Sequence, residues 1–154
     1  MTKVKMNNSM SAADYRQMRV RFLKQMNADS KVKNKPRDLE HQLQVRCVRW
    51  FFNESPYYEL PLFAVPNGGR RDAVTGAKMK AEGVVAGVAD LILLHPSKSG
   101  KYHSLCIEMK THQGRQSDNQ KAWQKKAEAS GNKYAICRGL EQFQQIIRSY
   151  ICSE

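Results

Sequence analysis

Leu105-Cys106-Ile107-Glu108-Met109-Lys110 is an apolar run that closes on a glutamate and a lysine two positions apart. In an extended strand successive side chains alternate between faces, so Glu108 and Lys110 project together and Met109 turns away. Eighteen residues upstream, Asp90 opens a second run of the same kind, Leu91-Ile92-Leu93-Leu94. If the two runs pair as neighbouring strands, one small volume holds two carboxylates and an ammonium. That is a donor set for a hard divalent cation, with a water to activate beside it.

Spacing alone does not make this argument. Asp29-Ser30-Lys31 repeats the acid-x-lysine pattern in a polar, strand-averse stretch, and Glu108 with Lys110 would otherwise read as a surface ion pair. Context separates the two, since Asp90 and Glu108 both sit at the edges of buried-type runs.

Outward from these strands the chain reads as alternating helices and strands. Residues 95–101, HPSKSGK, form a hairpin-type turn between the two runs. Beyond Lys110, Ser117 caps a helix that runs to about Ser130 and is ended by Gly131; Tyr134–Cys137 is a short strand. Leu140 to Cys152 forms a last helix with Phe143, Ile146, Ile147 and Tyr150 on one face. Upstream, Asp38 caps a helix to about Phe52 that buries Leu39, Leu43, Cys47, Trp50 and Phe51, with Glu40 and Gln44 paired beside that stripe. A strand over Leu62–Val65, the loop Pro66–Arg71 and a helical stretch from Asp72 to about Glu82 complete the core, and Gly83 and Gly87 punctuate the approach to Asp90. Residues 11–27 carry Tyr15, Met18, Phe22 and Met26 at helical spacing after Ser11, and residues 28–37 read as a linker. The order is α-β-α-β-β-α-β-α, an α/β protein with a small mixed sheet between helices.

The chain of 154 residues, 41% of them hydrophobic, is long enough for one core. No stretch approaches a membrane span, and the start, MTKVKMNNSM, has no apolar signal region, so a cytoplasmic protein is expected. Cys47, Cys106, Cys137 and Cys152 are scattered and read as reduced, mostly buried thiols. They show neither a zinc spacing nor a disulfide framework. His41, His95, His103 and His112 form no ligand spacing. Net charge is +12, and residues 1–37 hold ten Lys/Arg against two Asp, so +8 of it precedes the domain expected over residues 38–154. Such a balance favours a polyanion partner, nucleic acid above all, over a merely solubilising tail.

The ordered motifs resemble those of the VRR-NUC (virus-type replication-repair nuclease) family, within the PD-(D/E)xK restriction-endonuclease-like superfamily. The likeness rests on Glu40 with Gln44, Pro66-Asn67-Gly68-Gly69, Lys80-Ala81-Glu82-Gly83-Val84-Val85-Ala86-Gly87-Val88-Ala89-Asp90, Ile107-Glu108-Met109-Lys110, and Gly114-Arg115-Gln116-Ser117 leading to Gln120. It spans about residues 38–152. One departure is Ala89, where the superfamily name implies proline; that position is a backbone residue and holds no ligand.

The resemblance implies an α-β-β-β-α-β core and a Mg²⁺ site, with Mn²⁺ able to substitute, made by Asp90, Glu108, the main-chain carbonyl of Met109 and, from the helix side, Glu40. Lys110 would position or deprotonate the attacking water and stabilise charge on the phosphate. Gln120 has two candidate roles: beside the site, or closing a capping box Ser117-Asp118-Asn119-Gln120. Glu40 otherwise reads as a solvent-facing helix residue. Asn67-Gly68-Gly69 is either a turn requiring positive φ or a place where main chain approaches phosphate, next to Arg70 and Arg71. Lys78, Lys80 and Arg115 are further candidate phosphate contacts, while Trp50 and Phe51 read as core. The implied activity is a structure-selective DNA endonuclease of DNA repair, a four-way (Holliday) junction resolvase working as a C2 homodimer in a bacterial or phage-infected cell. A flap, nicking or linear-DNA nuclease of a phage or mobile element, and a non-cutting basic DNA-binding protein, are the alternatives.

Overall fold

The computed structural model describes residues 36–57, 59–66 and 73–152, together with Gln17. The chain separates into two compact units, Met1–Asp38 and Leu39–Glu154, and the architecture below belongs to the second apart from the opening turn of its first helix. The expected helix over residues 11–27, nearly all of the linker 28–37 and the loop 67–71 lie outside the described residues.

Helix α1, Pro36–Asn53, begins two residues before Asp38, so Asp38 is not its cap. Proline is well suited to the first turn, where its missing N–H costs nothing and its φ is already helical. From Leu43 onward the apolar stripe packs as its period requires: Cys47, Trp50 and Phe51 are buried and Leu43 lies against them. Leu39, one turn earlier on the same stripe, is 51% exposed. The helix outruns the core there, and its first full turn serves Glu40 instead.

Strand β1 (Leu62–Ala64), β2 (Leu91–Leu93), β3 (Leu105–Met109) and β4 (Lys133–Cys137) form a sheet in the order β1-β2-β3-β4. The first two pairings are antiparallel, with Leu91 opposite Ile107 and Leu93 opposite Leu105. The last is parallel, with Glu108 opposite Ile136 and Met109 opposite Cys137. Parallel neighbours need a crossover, and helix α3 (Asp118–Ala129) supplies it. Helix α2 (Ala73–Ala81) precedes the Asp90 segment, and α4 (Leu140–Cys152) ends the described core.

Alternation divides the sheet. Leu62, Leu91, Leu93, Leu105, Ile107, Met109 and Cys137 point into one core with Cys47, Trp50 and Phe51 of α1 and Phe143, Ile147 and Tyr150 of α4. Each fully buried aliphatic or aromatic side chain there contributes about 1.5–3 kcal/mol. Cys106, Glu108 and Tyr134 belong to the opposite face, the one α3 approaches: Trp123 of α3 stacks at a tilt on Tyr134, ring centroids 6.0 Å apart. Leu94, read as part of a buried run, lies one residue past the end of β2 on that open side and is 61% exposed.

Two turn devices fix the register around the site. Ser97 accepts from the Tyr102 N–H through its hydroxyl at 3.0 Å and donates its own N–H to the Tyr102 carbonyl at 2.9 Å, closing the β2–β3 connection. Gly131, at φ +76°, ends α3 as expected: the Gly131 N–H reaches Glu128 O and the Asn132 N–H reaches Ala127 O, both at 3.0 Å. That paired return is the αL helix stop for which glycine is the natural residue.

Candidate active site

Asp90, Glu108 and Lys110 meet where β2 begins and β3 ends. Glu108 is fully buried and Lys110 only 8% exposed, an unusual depth for either residue type. Lys110 Nζ lies 2.7 Å from Glu108 Oε1. The alternative of a solvated surface pair is therefore excluded by burial. Asp90 Oδ2 accepts the Met109 N–H at 2.8 Å, which ties the two strand ends together beyond the last ladder pair.

The ladder explains which main-chain groups face the site. In an antiparallel pair a residue's N–H and C=O address the same neighbour. Leu105, Cys106 and Ile107 lie opposite Leu93, Ile92 and Leu91 of β2, while the Lys110 N–H donates to Cys137 O of β4 at 2.8 Å. The Met109 N–H goes instead to the Asp90 carboxylate.

Glu108 is held by three donors. Lys110 and the Gln120 amide nitrogen both donate to Oε1, and the Tyr134 hydroxyl donates to Oε2 at 3.2 Å. Gln120 carries both roles that the sequence left open. Its Oε1 accepts the Ser117 N–H at 2.8 Å and Ser117 Oγ accepts the Gln120 N–H at 3.3 Å, a complete capping box, while Nε2 is free to reach Glu108. The oxygen serves the cap and the nitrogen serves the site, so the two readings do not compete. The segment before Asp90 packs on this cap. Gly87, at φ +84°, lies so close that a Cβ would stand 2.4 Å from the Asn119 carbonyl carbon and oxygen.

Glu40 approaches from α1 and its Oε1 accepts the Thr111 N–H at 3.1 Å. It is near enough to Asp90 to disfavour that group's ionisation. Among the described residues no three His, Cys, Asp or Glu side chains converge closely enough to hold a metal. The loop after β3 is fastened by Arg138, whose guanidinium donates to the carbonyls of Thr111, His112 and Gly114, the last at 2.9 Å.

Burial pushes the carboxyl of Asp90 above its ordinary range, against the Met109 N–H and the Lys110 charge, which favour ionisation. Burial likewise raises Glu108, opposed by the hydrogen bond from Lys110 and reinforced by the neighbouring Asp90 charge. Asp90 is raised further by Glu40 and Glu108 by Asp90, so the three acids are short of positive charge that one ammonium does not supply. Oxygen donors with that deficit fit a hard divalent cation. The phenol of Tyr134 is also raised, by burial and then by Glu108, so it remains a donor.

Lys80 and Arg115 are exposed, and Lys78 pairs loosely with Glu82 at 4.0 Å. Asn67, Gly68, Gly69, Arg70 and Arg71 lie outside the described residues. Three contacts escape a reading of the sequence, those of Tyr134, Gln116 and Arg138, although Gln116 itself stands in the Gly114–Ser117 motif. None has a spacing relation to Glu108, because the parallel register that brings β4 beside β3 is not written in local pattern.

A mixed sheet with an acid at the end of one strand, acid-x-lysine on the next and a helical crossover to a parallel fourth defines a restriction-endonuclease-like nuclease core. The sequence profile of the VRR-NUC domain matches residues 38–141, and the chain belongs to that family of nucleases. A solved structure described as a VRR-NUC domain protein superposes with a TM-score of 0.62 at 24% identity, covering 78% of this chain and 91% of that one; at that identity the likeness concerns the fold. Comparison with curated proteins finds no match.

Proposed function

We propose that the chain is a Mg²⁺-dependent endodeoxyribonuclease, with Mn²⁺ an effective substitute, that resolves four-way DNA junctions as a C2 homodimer. The observation that carries the catalytic part is buried Glu108, with Lys110 Nζ 2.7 Å from it and half-buried Asp90 tied to the same strand end through the Met109 N–H. Asp90, Glu108 and the Met109 carbonyl would hold the cation, with Glu40 at the rim through a water. When bound there, the cation supplies Lewis acidity, lowering the pKa of a water and drawing charge from the scissile phosphate.

The remaining work falls to the chain itself. Lys110, tethered to Glu108, places an N–H donor where negative charge builds on the phosphoryl oxygens. Gln120 fixes the rotamer of Glu108 from the helix side, and the Gln120 amide is itself fixed by the cap. Exposed Lys80 and Arg115, with Arg70 and Arg71, supply phosphate contacts, which orient a duplex without reading its sequence. Net charge of +12 supports a nucleic-acid partner. Phosphate-dominated binding favours recognition of shape, and a four-way junction has the two-fold symmetry that a C2 pair of sites matches.

The test is cleavage of a labelled immobile junction beside flap, single-stranded and linear duplex DNA of the same sequence. Paired symmetric cuts confined to the junction, from a species of dimer mass, are expected. Equal cutting of flaps or linear duplex would overturn the junction assignment while leaving the site intact.

A further inference from the structure

We infer that Tyr134 is a positioning residue for Glu108, and that Gln116 aims it from the middle of a hydrogen-bond chain that runs from Glu108 to Glu128. This rests on the metal-site reading above. Gln116 Nε2 donates to Gln124 Oε1 at 2.8 Å and to the Tyr134 hydroxyl oxygen at 3.3 Å. Gln124 Nε2 donates to Glu128 Oε1 at 2.9 Å, and Tyr134 donates to Glu108 Oε2 at 3.2 Å. The two ends of this chain are carboxylates, which only accept when ionised. Donors must therefore point outward from the middle. Gln116 is the one member that donates in both directions, and both of its amide protons are used.

That arrangement removes a freedom a tyrosine usually keeps. A phenolic proton can rotate between acceptors, but a hydroxyl oxygen that receives Gln116 has only Glu108 left to address. The ring is held too, by its tilted contact with Trp123 at 6.0 Å and by its place opposite Cys106 in the ladder. Glu108 Oε1 already takes two donors, Lys110 and Gln120, whereas Oε2 takes Tyr134 alone. Oε2 is thus the oxygen with a lone pair to spare, and Tyr134 fixes where that lone pair points. Partners that orient a ligating side chain typically change metal affinity by about 10- to 100-fold when removed.

The experiment is calorimetric titration of Mn²⁺ into the full-length protein and its Asp90→Ala, Tyr134→Phe, Gln116→Ala and doubly substituted forms, with melting temperatures of the metal-free proteins measured in parallel. Wild type should bind and Asp90→Ala should not. Tyr134→Phe should weaken binding about tenfold or more. Gln116→Ala should weaken it less, and Tyr134→Phe/Gln116→Ala no more than Tyr134→Phe alone, since Gln116 acts only through the hydroxyl. If Tyr134→Phe lowers the melting temperature yet binds Mn²⁺ like wild type, the residue is structural and the inference fails while the site stands. Multiplying effects in the double variant would sever Gln116 from the chain and overturn its part. Mn²⁺ binding that Asp90→Ala leaves unchanged would remove the site and this inference with it.

Discussion

Glu108 receives more donors than most carboxylates, yet its ionisation is still disfavoured. Lys110, Gln120 and Tyr134 satisfy its oxygens, while burial and Asp90 work the other way. The metal-free site is therefore a source of instability whose sign with pH can be stated. A carboxyl raised in the folded state contributes stability below its unfolded pKa and loses it as pH rises through the folded value. The metal-free protein should become less stable from the ordinary carboxylate range upward through the raised values of Asp90 and Glu108. Asp90→Asn, which removes that charge, should raise the metal-free melting temperature at neutral pH by a few degrees while abolishing cleavage. A fall in melting temperature would show that Asp90 stabilises the fold through the Met109 N–H more than its burial costs. Lys110→Ala should cut the cleavage rate by about 10²–10³, the usual loss for a donor at developing charge. At this scale the alternation of a strand makes Asp90, Glu108 and Lys110 legible in the sequence alone. Tyr134, Gln116 and Arg138 are not, since each reaches the site across a pairing that leaves no trace in sequence spacing.

Helix α3 couples its own start to the site, because one glutamine closes the cap and touches Glu108. Ser117→Ala should cost about 1 kcal/mol of stability as a lost N-cap. It should also lower the cleavage rate, since Gln120 loses its fixed orientation; unchanged turnover would separate the cap from the site. The Gly87 segment is the partner of that helix start. Gly87→Ala meets both a positive φ and the Asn119 carbonyl, whereas Gly100→Ala, at φ +70° in open space, meets only the first. Chemical denaturation should give a loss of about 1–2 kcal/mol for Gly100→Ala, the cost of αL backbone, and a distinctly larger loss for Gly87→Ala, accompanied by loss of activity. At the far end of the sheet, Tyr150 of α4 donates to the His95 carbonyl at 2.8 Å and has its phenol pushed up to about 12 by burial. Most helix and strand positions are readable from periodicity and from caps such as Ser117 and Gly131. Leu39 and Leu94 mislead, because a stripe or run can continue past the core that gives it meaning. The start at Pro36 is hidden because Asp38 offers a good cap inside a helix that is already under way.

For the molecule as a whole, charge and fold make separate statements. Alternating apolar patterns and turn residues are enough to order the elements along the chain, while the sheet order β1-β2-β3-β4, with its parallel crossover, is visible only in the structure. No described helix is long and apolar enough to cross a membrane. The segment 1–37 carries +8 of the net +12. Removing it should weaken binding to DNA and flatten the dependence of affinity on salt, as fewer counterions are released. Identical salt slopes for full-length and shortened protein would place the DNA-binding charge entirely in residues 38–154. The central claim is that Asp90, Glu108 and Lys110 form a metal-dependent phosphodiester-cleaving centre. Its most direct test is a time course of DNA cleavage in Mg²⁺, in Mn²⁺ and in EDTA, for wild type beside Asp90→Ala and Lys110→Ala proteins that melt normally. Cleavage in either metal, none in EDTA and none above background in Asp90→Ala, with Lys110→Ala severely slowed, is the predicted result. Cleavage that persists in EDTA, or in the Asp90→Ala protein, would contradict it.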